Sequence, residues 1–302
     1  MPQPADQSKS LVPHLLLTML VAIWGGSFVV AKVGLETVTP FALVASRFVI
    51  GALCVLPFFL RTTREQRRGT FGPAVLAGLV LAIPYFLQMY GVRETTASVG
   101  GFMTGLIVIL VAAGGALFFH ERLGPRALFG LLLGVTGIVV LCLAVESAPG
   151  GVQQNTLRGV LLQVGSAFGF AAHILLLSHY GNRLAIAPFT FWQLAFTAVL
   201  ASAATWLLGG VAADGVETLT VDFGLVLVLA YLGVLATGVA IGVQATVQPK
   251  IPPTHVALLF AMQPLFAALS GWLFQGDSLG PWQWAGGALI VLGVIAVARD
   301  RR

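Results

Sequence analysis

The chain has 302 residues, 58% of them hydrophobic and 9% charged, with sixteen Lys and Arg against eleven Asp and Glu. An ordinary soluble domain carries charge on about a quarter of its residues, so most of this sequence has nothing to offer water and lipid is its solvent. The net charge of +5 does not make a nucleic-acid binder, because the basic residues are scattered at segment ends instead of gathered into one stripe.

A spanning helix needs about 20 mostly apolar residues. Residues 1–13 are mostly polar, and the apolar run after them carries Trp24, Lys32 and no small-residue cleavage site. It reads as a retained first helix, not a removed signal peptide. Spans are predicted at 14–34, 40–60, 73–91, 96–119, 125–145, 158–179, 188–208, 223–246, 253–275 and 281–298. The fold class is therefore an all-α integral membrane protein with ten transmembrane helices. The stretch 146–157, built around Ser147-Ala-Pro-Gly-Gly-Val-Gln-Gln-Asn155, has linker composition. It separates a first five-helix unit, 14–145, from a second, 158–298. Cys54 and Cys142 sit in apolar stretches with no CxxC or His partner nearby and read as free packing thiols.

The two units are related. Gly115-Ala-Leu-Phe-Phe-His-Glu-Arg-Leu-Gly-Pro125 returns 156 residues later as Gly271-Trp-Leu-Phe-Gln-Gly-Asp-Ser-Leu-Gly-Pro281. At the same offset Gly130, Leu133, Val135 and Gly137 meet Gly286, Leu289, Val291 and Gly293, and Gln88 meets Gln244. A repeat this long implies doubling of a whole helical bundle. Cytoplasmic loops retain Lys and Arg. With the N-terminus inside, Lys9, Arg61, Arg64, Arg67, Arg68, Arg122, Arg126, Arg183, Lys250, Arg299, Arg301 and Arg302 are cytoplasmic, and Lys32, Arg93 and Arg158 lie at outer ends. Asp214, Glu217 and Asp222 share an outer loop. Both termini are then cytoplasmic. Five being odd, the halves are inverted repeats, the arrangement that lets a central site face either side in turn. Pro84 and Pro264 fall near mid-membrane and would free the carbonyls of Val80 and Phe260, kinking helices 3 and 9.

The run Ala22-Ile-Trp-Gly-Gly-Ser-Phe-Val-Val-Ala-Lys32, Pro40 followed by Arg47, and Glu121-Arg-Leu and Asp277-Ser-Leu before Gly-containing helices together resemble the EamA family of the drug/metabolite transporter superfamily. The resemblance covers nearly the whole chain. It implies a ten-helix bundle moving small metabolites, often amino acids or related compounds and often outward, in a plasma membrane such as the bacterial inner membrane. The halves differ: Asp277 stands where the first has Glu121, and setting Pro188-Phe189 on Pro40-Phe41 places Ala195 opposite Arg47.

Residues near mid-depth are the candidates for a substrate site: Trp24, Tyr85, Thr104, Phe168, His173 and Gln263. Aromatic walls with a few polar groups suit amphipathic solutes; packing or lipid-facing roles are the other reading of Trp24, Tyr85 and Phe168. Gln88 and Gln244 fall near opposite membrane faces, as matched gates or as glue between helices. Arg47 lies about 10 Å into helix 2, where it either snorkels outward toward Glu36 or binds a substrate carboxylate. Lys32 and Glu36 read as a solvated pair. His173 is the mid-depth group that titrates near neutrality, for proton coupling or a plain hydrogen bond. The pairs Gly101/Gly105, Gly130/Gly134, Gly165/Gly169 and Gly238/Gly242 provide close helix contact, within a monomer by default and a homodimer as the alternative.

The other classes are a channel or scaffold and an intramembrane enzyme. His120-Glu121 starts like HExxH but has Gly124 at the second histidine, Gly25-Gly-Ser27-Phe-Val29 fails GxSxG at its last residue, and there is no phosphate loop. The expectation is therefore a permease and not an enzyme, without cofactor or metal, whose partners are a small-molecule substrate and membrane lipid.

Overall fold

The computed structural model describes residues 11–119, 124–146, 155–180, 184–211, 221–247, 259–260, 262–277 and 279–299. Its regular elements are helices: α1 (Leu11–Gly34), α2 (Pro40–Leu60), α3 (Arg64–Arg93), α4 (Ala97–Phe119), α5 (Pro125–Glu146), α6 (Leu157–Tyr180) and α7 (Ile186–Ala204), which runs on as a π turn, Thr205–Gly209. Then α8 (Phe223–Leu229), a π-helical stretch Ala230–Val239 and α9 (Ala240–Val247) form one continuous rod, followed by α10 (Gln263–Gln275) and α11 (Pro281–Ala298). Seven of these rods are long and apolar enough to cross a membrane. Residues 125–140 and 281–297 form shorter apolar helices.

The two mid-membrane prolines sit differently. Pro84 stays inside α3, and Gly169 of α6 lies against it, since a Cβ there would sit 2.8 Å from the Pro84 Cβ; the ring is a packing surface. Pro264 does not kink a running helix. It occupies the first turn of α10, where a missing amide donor leaves no intrahelical bond unmade. The start of α3 also moves, nine residues ahead of the apolar run. Thr63 Oγ1 accepts from the Gln66 amide while Gln66 Oε1 accepts from the Thr63 amide, a capping box that starts the helix in polar sequence.

Lipid tails are as apolar as leucine, so close packing and hydrogen bonds, more than hydrophobicity, hold such helices together. The main buried cluster, with Leu43, Phe48, Leu194 and Leu232 at 0% exposure, joins α2, α7 and the π-helical stretch. A second, around Phe102 and Ile290, joins α4 to α11. On the outer face of α5, Leu128, Leu132, Val135, Val139 and Leu143 are all exposed, a lipid-facing stripe at helical spacing. The seam between α5 and α11 is backbone on backbone: a Cβ on Gly130 would meet the Gly293 carbonyl at 2.5 Å, and one on Gly137 would meet the Gly286 carbonyl at 2.7 Å. Gly105, Gly134, Gly165 and Gly238 also face other helices of the chain, whereas Gly242 faces open space.

One end of the bundle, where α3 ends and α4 and α6 begin, is laced with polar contacts. Lys32 Nζ donates to the Thr95 carbonyl (2.6 Å), so it is not the solvated partner of Glu36. Asp277 turns inward, 7% exposed, and accepts from the Ser98 amide (3.0 Å) and Ser98 Oγ (2.8 Å) at the start of α4. Asn155 Oδ1 accepts from the Thr96 amide. Arg158 pairs with Glu94 at 2.9 Å.

Candidate functional site

Arg47 sits three residues short of the midpoint of α2, about 4.5 Å along the axis, and is 2% exposed. It does not snorkel. Its Nε donates to Thr237 Oγ1 at 3.1 Å, and its guanidinium carbon stands 4.7 Å from the centre of the Tyr85 ring. Thr237 comes within reach because glycines bring α2 and the π-helical stretch together: a Cβ on Gly51 would lie 2.6 Å from Thr237 Cγ2, and one on Gly233 would lie 2.6 Å from Ile50 Cβ. The Thr237 hydroxyl donates to the Leu232 carbonyl five residues back (2.8 Å), so its lone pairs are turned toward the arginine.

Tyr85, half-buried, is wedged between Phe48 (ring centres 4.7 Å apart) and Phe170 (5.0 Å), both edge to face. This arrangement favours the ring quadrupoles, and the face of Tyr85 attracts the cation. Among the described residues Arg47 touches no carboxylate, and its only hydrogen bond is the one to Thr237. The result is a guanidinium held against an aromatic wall, its charge uncompensated by any acid there.

The other predicted residues fall elsewhere. Trp24 Nε1 donates to the Ala236 carbonyl (2.9 Å) and its ring stands edge-on to Phe260, tying α1 to the π-helical stretch. The Thr104 hydroxyl is used within its own helix, on the Gly101 carbonyl. Phe168 is 58% exposed, on the same stripe as Leu161, and it is Phe170, two residues on, that reaches Tyr85. His173 is buried and its Nε2 lies 3.2 Å from Gln193 Oε1, a bond between α6 and α7. Gln263 begins α10, half-buried. Gln88 is buried and its carbonyl accepts a long 3.4 Å bond from Gln163. Gln244 is half-buried in α9. The structure thus gathers Arg47 and Tyr85 and scatters the rest. His120 and Glu121 lie outside the described residues, among which no cluster of three potential metal ligands occurs.

Sequence reasoning overlooked Thr237, Tyr231, Phe170 and Gln193. Tyr231 donates to the Ile23 carbonyl (2.8 Å) beside Gly26. Both Tyr231 and Thr237 lie on the π-helical stretch, where counting at 3.6 residues per turn gives the wrong face. Phe170 was legible as a phenylalanine two positions from the one chosen.

Outward apolar faces and inward polar groups on seven span-length rods define a multi-pass membrane protein. Its class is that of the transporters: residues 12–143 and again 157–299 match the EamA-like transporter family, and the chain belongs to that family. It is 28% identical over 295 residues to an Archaeoglobus fulgidus protein named "Uncharacterized transporter", covering 97% of this chain and 88% of the other. It is 27% identical over 289 residues to an Escherichia coli K12 protein named "Probable amino-acid metabolite efflux pump", covering 93% and 92%. A crystal structure of a protein 20% identical has the same fold, with a TM-score of 0.67 over 96% of this chain and 97% of its own. The family and these two relatives are named as transporters or an efflux pump, not as enzymes.

Proposed function

We propose that this transporter carries a small metabolite, an amino acid or related amphipathic solute, outward across a bacterial inner membrane by alternating access. The solute site lies at the aromatic cluster of Tyr85, Phe48 and Phe170 beside Arg47. In this reading ten spans form two inverted five-helix repeats with both termini cytoplasmic, and the laced end around Thr95 is the closed exterior. Trp24, Thr104, His173 and Gln263 then belong to the walls or their support, and Gln88 and Gln244 to the two gates.

The observation that carries the reading is the α5/α11 seam. Adding the repeat offset of 156 to Gly130 gives Gly286, and subtracting it from Gly293 gives Gly137. The contact of Gly130 with Gly293 therefore has as its repeat image the contact of Gly286 with Gly137, which also occurs. A two-fold axis through the seam relates contacts in this way, and inverted repeats have such an axis in the membrane plane. Two family matches in one chain and the name of the E. coli relative support the same picture. With those glycines occupied within the chain, a monomer is the working unit.

Reconstitution into liposomes loaded with a metabolite mixture tests it. Selected solutes are expected to leave faster than from empty-bilayer controls, with counter-substrate accelerating release. Release that ignores counter-substrate would mark a channel and overturn alternating access. For topology, Arg67→Cys should react with impermeant maleimide only from the cytoplasmic side and Val221→Cys only from outside; reaction on one common side would overturn the inverted arrangement.

A further inference from the structure

The geometry points to a carboxylate as the group this carrier recognises: the anion binds the Arg47 guanidinium beside Thr237, and the apolar body of the solute lies against Tyr85 and Phe170. The inference rests on the transport reading for its physiological meaning and on the arginine alone for its chemistry.

A buried guanidinium needs a counter-charge. Leaving one unpaired within a membrane span is among the more unfavourable arrangements in a protein, and Arg47 meets only partial compensation, from one hydroxyl and the rings of Tyr85 and Phe48. Among the described residues the terminal nitrogens, Nη1 and Nη2, donate to nothing, and these form the fork that matches the two oxygens of a carboxylate. No acid stands beside the aromatic wall among the described residues to pair an amine, and the Arg47 charge repels one. Tyr85, whose ring faces the guanidinium, is half-buried where Arg47 is fully covered. A carboxylate that reaches the fork finds the plane of the guanidinium already fixed by the Thr237 bond at Nε. Thr237 is a positioning residue, and Arg47 a specificity-determining one. Ala195 stands at the matching place in α7, so that helix offers no second guanidinium there.

The test compares three forms of each solute in wild-type protein: free amino acids, their C-terminal amides and their decarboxylated amines, trapped together in liposomes. Acids are expected to leave at least about tenfold faster than amides. Arg47→Gln should bring that ratio close to one, Arg47→Lys should keep the preference with about tenfold weaker apparent affinity, and Thr237→Val should raise KM about threefold with kcat nearly unchanged. Thermal stabilisation of the detergent-solubilised wild type by the same acids and amides provides a readout independent of flux and of variant folding. Equal handling of acids and amides by wild type, or an acid preference that survives in Arg47→Gln, would overturn the inference. If no solute moves but acids alone stabilise the wild type, the carboxylate site stands and the transport reading falls; if neither occurs, both fall.

Discussion

Helices α2 and α7 open alike, with Pro40-Phe41 and Pro188-Phe189, yet they bury different chemistry. On α2 the buried polar group is Arg47, drawn to an aromatic ring and a hydroxyl on a neighbouring rod. On α7 the groups are neutral: Gln193 meets His173, and Thr197 donates to the Gly78 carbonyl (3.0 Å). Gln193 and Thr197 find their partners within the protein, and the polar group of α7 left without one, Trp192 Nε1, is neutral. The α2 contact is an open valence. One helix is held by neutral hydrogen bonds while the other carries a charge with no acid beside it among the described residues.

The sharpest way to break that comparison is to move the charge. Ala195→Arg places a guanidinium on α7 without an equivalent of Thr237, and a loss of about 3 kcal/mol is expected, seen as a large fall in melting temperature and in monodisperse yield from detergent. Stability equal to wild type would mean that α7 can house the charge as well as α2 does. His173→Leu removes one partner of the α6/α7 bond and leaves the Gln193 amide facing apolar surface; a loss of about 1 kcal/mol is expected, with KM for solute unchanged. A raised KM would draw His173 into the solute site. Smallest is Phe168→Leu on the lipid-facing stripe, expected to change stability by less than about 0.5 kcal/mol and flux not at all; a lost flux would return Phe168 to the pathway.

Most helix bounds were legible in the sequence because in lipid the apolar run and the helix nearly coincide: α2 was predicted at its observed bounds, and α4, α5 and α6 within a residue or so. Where polarity and helix part company, the reading failed. Arg64 to Arg68 are helical through a capping box that hydropathy ignores. Asp277 looks like a loop acid in sequence, yet it accepts from the Ser98 amide and hydroxyl at the start of α4, a role set by a helix far away along the chain. Of the site, Arg47 and Tyr85 were nameable from residue type and depth. Their partners were not, because the phase of Ala230–Val239 departs from the α period, and a choice between Phe168 and Phe170 turns on which face of α6 meets α3.

That wide stretch leaves its rod with slack. Tightening it toward ordinary α geometry would advance the chain by a residue and present Ala236 or Gly238 to Arg47 in place of Thr237, and neither carries a hydroxyl. The arginine would then lose its tether without any rotamer change, and a bound anion would be held by the fork alone. Deleting one residue between Ala230 and Val239 should lock the rod in that form, which faster solute dissociation would reveal.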